Sequence, residues 1–473
     1  MSDKLTRRKL IRTITAGGLF TAGSLTPLST ILAQEIGRST RGPQAPVPSG
    51  PLTPATVVDG QVIQPSRELP VLRTTNILVV GGGPAGTAAA LAARRLGVDV
   101  TLVERYGHLG GLATGGLVLA IFPLYNRQKE QVILGIGEEM MQRLDKLKFG
   151  IIDRSKAPLY PVVDAEAFKY VLADMVLESG MTTYLNCWGV DAIVDTEGAV
   201  RGAVFESKSG RQAVLADVVV DASGDGDIYA AAGAAFTKVN DSIGLVSRIG
   251  NIDEVDMIGG VEAEHSTAEP ASPVKRRPSR GRVTQLDGKL GNYTPVPSVN
   301  WLNMKGPVAD ALDVADLTNL ELRHRIALWK NLELVREKEG HEDAYLMETA
   351  PQIGVRLSRL LDGVQVLTTD MMKNETKFED VIAYSGTFAN NPAFQIPYGA
   401  LVPEIVDNVL VAGRCISTDF RVADITRLIP VCWATGEAAG VAATLCIQDE
   451  CKPRDVNVPK LQNILRQQGA YLG

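Results

Sequence analysis

A glycine-rich turn between an apolar run and an alanine-rich run constrains this chain more than any other feature. Residues 75–80 are apolar and partly β-branched, which is typical of a buried parallel strand. Residues 81–86 read Gly-Gly-Gly-Pro-Ala-Gly and fit the pattern GxGxxG. Residues 87–96 then predict a helix, and residues 98–103 predict a second strand that ends at Glu104. This order predicts a βαβ unit that binds a dinucleotide.

Each part of the unit suits a dinucleotide. Gly81 allows the tight turn, Gly83 lets backbone N–H groups approach a pyrophosphate, and Gly86 lets helix and strand pack closely. The positive end of the helix faces the phosphates. Glu104, eighteen residues after Gly86, is placed to accept hydrogen bonds from ribose hydroxyls. The residues predicted to bind the dinucleotide in this unit are Gly81, Gly83, Pro84, Ala85, Gly86, Glu104 and Arg105.

Later strand-to-glycine junctions favour FAD over NAD. A glycine pair, Gly110-Gly111, follows Glu104, the strand at 218–221 enters a glycine turn, and the strand at 407–412 ends at Gly413. A simple dehydrogenase does not need three such junctions, whereas the flavin of FAD lies far from its adenine. No second GxGxxG follows a strand, so a separate nicotinamide domain is not expected.

Together these motifs resemble the glutathione-reductase-type flavoproteins and, within them, the FAD-dependent oxidoreductase family, over residues from about 74 to 450. The resemblance implies an α/β, Rossmann-like, three-layer FAD-binding domain that is discontinuous and carries an inserted substrate or cap domain. It implies non-covalent FAD, with the helix that starts near Ile429 pointing at the flavin, where its dipole stabilises the anionic reduced ring. The sequence departs from the family pattern at Leu357, where an acidic residue is usual, and at Glu437, where glutamine is common. The further cofactor-binding residues that the resemblance implies are Gly110, Gly111, Leu112, Thr114, Ala222, Ser223, Gly224, Gly413, Asp424, Ile429 and Pro430.

Two arginines are the catalytic candidates. We expect Arg356 or Arg427 to orient a carboxylate or hydroxyl substrate by bidentate hydrogen bonding, and pairing with a buried acid is the competing role. His108 does not match the spacing of succinate-dehydrogenase-type flavin attachment. His324 and His341 fall in a charged helical region and are expected at the surface.

Composition excludes several classes of function. A net charge of -6 argues against a nucleic-acid partner. The five cysteines form no CxxC and the four histidines no HExxH, so neither a dithiol redox centre nor a metal site is expected. The absence of a GxSxG elbow argues against a hydrolase.

The predicted organisation has five segments. Residues 1–33 carry Arg7-Arg8 before a mildly apolar stretch and resemble a twin-arginine export signal, and residues 34–73 form a proline-rich tether. The FAD-binding domain comprises residues 74–240 and 395–473, the latter with the C-terminal tail, and the substrate or cap domain comprises residues 241–394. Within the cap, residues 262–297 predict a polar loop or lid, and residues 319–338 predict an amphipathic helix.

We therefore expect an exported, periplasmic FAD-dependent oxidoreductase of the dehydrogenase or oxidase type. A hydride would pass between a small organic substrate and flavin N5, with the electrons going to an external acceptor such as a quinone, a cytochrome or oxygen. The export machinery is the expected protein partner. Three alternatives stay open: a flavin-dependent reductase with an external donor, a non-catalytic electron-transfer flavoprotein, and a colourless hydrolase or carbohydrate-binding protein on the same scaffold.

Overall fold

The computed structural model describes residues 54–152, 154, 161–252, 294–303, 305–337 and 339–473. The predicted export signal, residues 34–53 of the tether and residues 262–293 of the polar loop lie outside the described residues.

Strands and helices are mixed along the chain. The strands are β1 (Thr56–Val58), β2 (Gln61–Ile63), β3 (Val71–Val80), β4 (Val100–Val103), β5 (Thr182–Tyr184), β6 (Trp188–Val194), β7 (Val200–Ser207), β8 (Gly210–Asp221), β9 (Phe236–Lys238), β10 (Asp241–Ser242), β11 (Val246–Gly250), β12 (Val299–Asn303), β13 (Val308–Ala309), β14 (Tyr345–Thr349), β15 (Arg359–Leu361), β16 (Val381–Ser385), β17 (Phe394–Pro397) and β18 (Val409–Val411). The helices are α1 (Pro84–Arg95), α2 (Gly135–Asp145), α3 (Ala165–Ser179), α4 (Asp227–Ala231), α5 (Val314–Arg336), α6 (Thr369–Lys373), α7 (Phe420–Thr426), α8 (Ile429–Gln448) and α9 (Val458–Gln467).

A seven-stranded sheet forms the centre of the fold, in the order β5-β4-β3-β8-β7-β6 with β18 paired to β8. Strands β5, β4, β3, β8 and β18 are mutually parallel, and β6, β7 and β8 form an antiparallel meander. The second half of β3 is fully buried, as strands covered on both faces require. The fold is therefore Rossmann-like α/β, as predicted, although β3 begins at Val71, within the predicted tether.

Helices α1 and α8 pack against each other almost backbone to backbone. Gly436 and Gly440 on α8 lie against the backbone of Ala85 and Ala89 on α1, where a Cβ would overlap a carbonyl oxygen. Helix α8 is long and apolar enough to cross a membrane by length and composition, but 94% of its most apolar 18-residue window is buried inside this fold. It is the core helix of the protein, and it begins at Ile429 as predicted.

The predicted cap segment contains a small sheet of β12, β11 and β14, covered by α5. Arg248 on β11 joins the cap to the rest of the fold. Its Nη1 donates to Asp164 Oδ2 at 2.7 Å, and its guanidinium also pairs with Glu348 on β14. Because Asp164 also caps the N-terminus of α3, this buried ion pair fixes the cap sheet against the FAD-binding part.

The expectation that His324 lies at the surface is wrong. Helix α5 places His324 one turn from Leu320 and from Leu328, on the face that packs inward, and its side chain is only 2% exposed. Its Nε2 bonds the carbonyl oxygen of Ile243 at 3.0 Å, and burial lowers its pKa. The side chain of Ile326, by contrast, is exposed.

Glu437 is a buried carboxylate in the middle of α8. It is 1% exposed, and its Oε2 accepts from the backbone N–H of Ile136 at 3.1 Å, in the first turn of α2. Residue Leu134 at the N-cap position of α2 supplies no side-chain cap, so Glu437 provides that acceptor from a distant helix. Burial raises the pKa of Glu437 from its ordinary value of 4.5 to about 7.

Replacing Glu437 with glutamine should change the pH dependence of stability. A carboxyl whose pKa is raised on folding stabilises the fold below its unfolded pKa of 4.5, and this contribution is lost as pH rises through about 7. Relative to wild type, Glu437→Gln should therefore gain stability on the order of 3 kcal/mol between about pH 4 and pH 8. Thermal unfolding across this range measures the difference. Glu404→Gln, at an exposed position, is the control and should follow wild type; parallel curves for Glu437→Gln would contradict the assignment.

Candidate active site

An open cleft with a volume of about 1130 Å³ crosses the carboxyl edge of the central sheet. The residues after β4, β3, β8 and β18 all line it, in the spatial order of those strands. Neighbouring strands lie about 4.8 Å apart, so Glu104 after β4 and Gly413 after β18 are separated by three spacings, or roughly 14 Å. The cleft is long enough for an extended ligand that crosses several strands.

Most of the residues predicted to bind the cofactor line this cleft. They are Gly81, Gly83, Pro84, Ala85, Glu104, Arg105, Gly111, Leu112, Ala222, Ser223, Gly224, Gly413 and Ile429. Five more are placed behind or beside the lining: Gly86, Gly110, Thr114, Asp424 and Pro430. Thr114, for example, is buried and donates its hydroxyl to Leu109 O at 2.5 Å, which holds the glycine-pair loop in shape.

Glycines leave bare backbone along the floor of the cleft. Gly81 has a φ of +101°, and a Cβ there would overlap the carbonyl oxygen of Ala222. Gly111 has a φ of +50°, and a Cβ there would lie 2.9 Å from Gly83 Cα. The two loops approach so closely that only glycine fits between them.

Two helix N-termini without side-chain caps point into the cleft. Helix α1 begins after Gly83 and helix α8 after Leu428. Neither of these N-cap residues has a side chain that accepts a hydrogen bond from the N–H groups of the first helical turn. Because Ala85 packs on Gly436 and Ala89 on Gly440, the two helices run parallel. Helix α1 starts one residue before Ala85, whereas α8 starts seven residues before Gly436, so α8 extends six residues farther at its N-terminus. Six residues of helix are about 9 Å, so the positive end of α8 lies about 9 Å beyond that of α1.

At one end of the cleft, Glu104 closes the glycine loop. Its Oε2 accepts from Gly82 N at 2.6 Å and its Oε1 from Tyr106 N at 2.8 Å. Burial raises the pKa of Glu104. Each carboxylate oxygen keeps a second lone pair, which can accept from a ribose hydroxyl.

Beside Glu104, Arg105 lies between two aromatic rings. Its guanidinium carbon is 4.8 Å from the ring centre of Tyr106 and 5.7 Å from that of Trp188. The sequence did not indicate Trp188, which reaches Glu104 because β5 pairs with β4 and the loop after β5 bonds residues 104 and 106 through Cys187 N and Asn186 N. These flat, polarisable groups form a platform on which a purine ring can stack.

In the middle of the cleft, buried acids hold the loop after β8. Asp221 is fully buried and accepts from Ser223 N and Oγ and, through its other oxygen, from Ile228 N and Tyr229 N at the start of α4. Arg414 donates to Gly224 O at 2.7 Å and Asp225 Oδ1 at 2.8 Å. Residues 222–224 are thus fixed from both sides.

Residues 76–465 match the protein family described as FAD dependent oxidoreductase. The chain belongs to the FAD dependent oxidoreductase family. FAD is its cofactor, and the site fits it. Bare glycine backbone and the N-terminus of α1 suit the pyrophosphate, and Glu104 at one end can accept from a ribose hydroxyl. The N-terminus of α8 lies about 9 Å farther along the cleft.

Similarities to individual proteins are more distant. A stretch of 157 residues is 29% identical to digeranylgeranylglycerophospholipid reductase 2 of Methanopyrus kandleri, covering 32% of this chain and 37% of that relative. A geranylgeranyl bacteriochlorophyll reductase-like structure from Thermoplasma acidophilum is 14% identical over 84% of each chain, with a TM-score of 0.39. A flavin-dependent brominase is 14% identical over 79% of this chain and 80% of its own, with a TM-score of 0.44. The chain thus spans little more than a third of the length of the archaeal reductase that it matches.

Two polar side chains that line the FAD cleft have buried atoms with unused hydrogen-bonding capacity. Arg427 and Gln352 both line the cleft, and Gln352 is 9% exposed. Among the described residues, neither Arg427 Nε nor Gln352 Oε1 has a hydrogen-bond partner. Val118, Ala120 and Phe122 form an apolar wall at this cleft, and the ring of Phe122 stacks on Phe388 at 5.3 Å.

The second catalytic candidate, Arg356, is not among the residues that line the cleft in the described part of the chain. It belongs to a charged group with Asp241, Asp424 and Arg427. Arg427 Nη2 lies 3.3 Å from Asp424 Oδ1, and both arginines lower the pKa of the buried Asp241, which desolvation raises overall. Arg356 thus acts on the same buried acid as Arg427 but, unlike Arg427, does not line the cleft.

His108 also stays off the cleft lining. Its ring stacks on Tyr106 with centres 5.6 Å apart, and it packs against Gly115. Desolvation lowers its pKa. The structure thus gives His108 a packing role beside the glycine-pair loop.

Substituting alanine for Gly81 should abolish FAD binding, because the added methyl group would overlap the backbone of Ala222. We expect FAD affinity to fall more than roughly 100-fold, the equivalent of about 3 kcal/mol. Gly97→Ala is the matched control, since Gly97 also has a positive φ of +87° but nothing within 4 Å of the added Cβ. That variant should lose about 1–2 kcal/mol of stability and keep its FAD. The flavin-to-protein absorbance ratio and circular dichroism compare the two, and equal FAD contents would contradict the close-approach argument.

Proposed function

We propose that this FAD-dependent oxidoreductase is a dehydrogenase or oxidase of the glutathione-reductase type that removes a hydride from a small organic substrate. An external acceptor such as a quinone, a cytochrome or oxygen would take up the electrons. The observation that carries the proposal is that Arg427 and Gln352 both line the cleft and each keeps a buried polar atom, Nε and Oε1, without a hydrogen-bond partner among the described residues. When bound there, FAD supplies the two-electron chemistry.

Arg427 is the residue best placed to hold a substrate carboxylate or hydroxyl. It precedes α8 by two residues, so the positive end of that helix adds to its own charge. Its Nη2 pairs with Asp424 Oδ1 at 3.3 Å, and its Nε has no hydrogen-bond partner among the described residues. An arginine fork of this kind binds a carboxylate through two parallel hydrogen bonds.

Gln352 complements Arg427 by accepting a hydrogen bond. A buried amide oxygen without a partner is costly, and a ligand N–H or O–H would satisfy it. Its backbone N–H donates to Gly115 O at 3.1 Å, which fixes its position next to the glycine-pair loop. Arg427 and Gln352 would therefore select a ligand with a hydrogen-bond acceptor for Arg427 and a donor for Gln352. An apolar portion of that ligand would face Val118 and Phe122.

Arg356 has a supporting role in this proposal. Together with Asp241 and Asp424 it balances the charge around Arg427 and orients the Arg427 side chain. Arg356 is thus a positioning residue, whereas Arg427 contacts the substrate.

Substitution of Arg427 should separate substrate binding from FAD binding. Arg427→Ala should lower kcat/KM roughly 10- to 150-fold, corresponding to the 1.5–3 kcal/mol of a hydrogen bond to a charged group, while FAD content is unchanged. Arg427→Lys keeps the charge but not the fork and should recover only part of the loss. The measurement is the rate of anaerobic flavin bleaching with pools of small hydroxy and carboxylate compounds.

The control for this experiment is Arg421→Ala on α7, since Arg421 is exposed and outside the cleft lining. It should bleach at the wild-type rate. If no compound bleaches wild-type flavin but a reduced dye drives reduction of an added acceptor, the protein is a reductase. If neither occurs, it is a non-catalytic electron carrier.

We further propose that the protein is exported to the periplasm through the twin-arginine machinery, which carries folded, cofactor-loaded proteins. The support is Arg7-Arg8 ahead of a mildly apolar stretch. Replacing both arginines with lysine should leave the full-length, FAD-containing protein in the cytoplasmic fraction of a bacterial host. Cell fractionation with flavin fluorescence measures this, and equal periplasmic amounts for both forms would reject the proposal.

A further inference from the structure

Two neighbouring cysteines lie at the C-terminal end of α8, far from the FAD cleft. Cys446 lies in the last turn of the helix and Cys451 in the loop after it. Both line a second, polar cavity with an open volume of about 750 Å³. Their backbones are joined by a hydrogen bond, and both cysteines are free in this structure.

The backbone conformation at the end of α8 places the two cysteines side by side. The N–H of Cys451 donates to Cys446 O at 3.1 Å, and Glu450 between them has a φ of +51°. This is the helix-ending Schellman arrangement, in which the residue after the left-handed position folds back onto the last turn. The i to i+5 spacing in sequence carries no sign of this contact, since it is not a CxxC.

We propose that Cys446 and Cys451 form an intramolecular disulfide on exposure to a small disulfide oxidant such as glutathione disulfide. The bond closes within the Schellman turn, where the backbone hydrogen bond already holds the two residues at the separation that a disulfide spans. Cys451 is partly exposed and Cys446 buried, so the oxidant reaches Cys451 first.

The chemistry is thiol–disulfide exchange in two steps. Cys451 Sγ, as the thiolate, attacks one sulfur of the oxidant, forms a mixed disulfide and releases one glutathione thiolate. Cys446 Sγ then attacks Cys451 Sγ, forms the protein disulfide and releases the second glutathione. The two protein thiols lose two electrons, glutathione disulfide gains them, and the two thiol protons pass to the released glutathiones.

This disulfide is separate from the flavin reaction. Cys446 lies seventeen residues along α8 from Ile429, which is about 25 Å of helix. The neighbouring residues Lys452 and Arg454 pair with Asp407, which stands before the amino end of β18, whereas the cleft is at the carboxyl end. The pair is a modification site at the opposite edge of the sheet rather than a redox partner of the flavin.

The experiment equilibrates the FAD-bound full chain in glutathione buffers of increasing disulfide content, then quenches, denatures and alkylates it. Five cysteines should be alkylated in the reduced form and three in the oxidised form. Cleavage after Glu450 places Cys446 and Cys451 on different peptides, which stay joined only if the bond is present. Recovery of the joined peptides in the oxidised sample alone is the expected result.

Single variants test the order of the steps. In Cys446→Ser, Cys451 should accumulate as the mixed disulfide with glutathione, and in Cys451→Ser, Cys446 should stay alkylatable in every buffer. Cys187, a half-buried cysteine with no neighbouring thiol among the described residues, is the internal control. Five alkylated cysteines in every buffer, or stable glutathione on wild-type Cys451, would overturn the proposal. Because the wild-type measurement stands alone, a variant that fails to fold does not affect it.

Discussion

The contact between α1 and α8 is the interaction on which the rest of this structure depends. Gly436 and Gly440 let the two backbones touch at Ala85 and Ala89, and the equal spacing makes the helices parallel. Both positive ends therefore face the same cleft, about 9 Å apart along the helix direction. Neither end has a side-chain cap, so their free N–H groups are available to the anionic pyrophosphate and to the reduced flavin.

A network of charges behind the cleft and along its lining holds the cleft in shape. Asp221 binds four donors around the loop after β8, and Arg414 fixes the same loop from the other side. Asp227 lines the cleft beside this network, and burial together with Asp225 and Asp221 raises its pKa to about 6. Such a buried network makes the cofactor site rigid, which suits a site that must hold a long ligand in one position.

Local sequence predicted the parts of the fold that depend on local rules. The glycine turn, the strand before it and the start of α8 at Ile429 are where the motifs place them, because turn chemistry and hydrophobic runs act over a few residues. The surface position of His324 was mispredicted, because α5 has charges on nearly every turn and only packing decides which face turns inward. Trp188 and Gln352 carried no signal at all, since each reaches the cleft through strands and loops distant in sequence.

By itself, the sequence determined that this chain binds a dinucleotide along a βαβ unit, since glycines at 81, 83 and 86 and an acid at 104 suit little else. The tertiary structure alone decided which arginine faces the cleft, Arg427 rather than Arg356, and which acid caps a distant helix, Glu437. It also placed Cys446 beside Cys451 without a thiol motif. For the arginine and the acid the physical reason is the same: a motif fixes backbone shape over a few residues, whereas the direction of a side chain depends on packing between elements distant in sequence. For the cysteines it is the helix-ending turn, which the spacing of the two residues does not reveal.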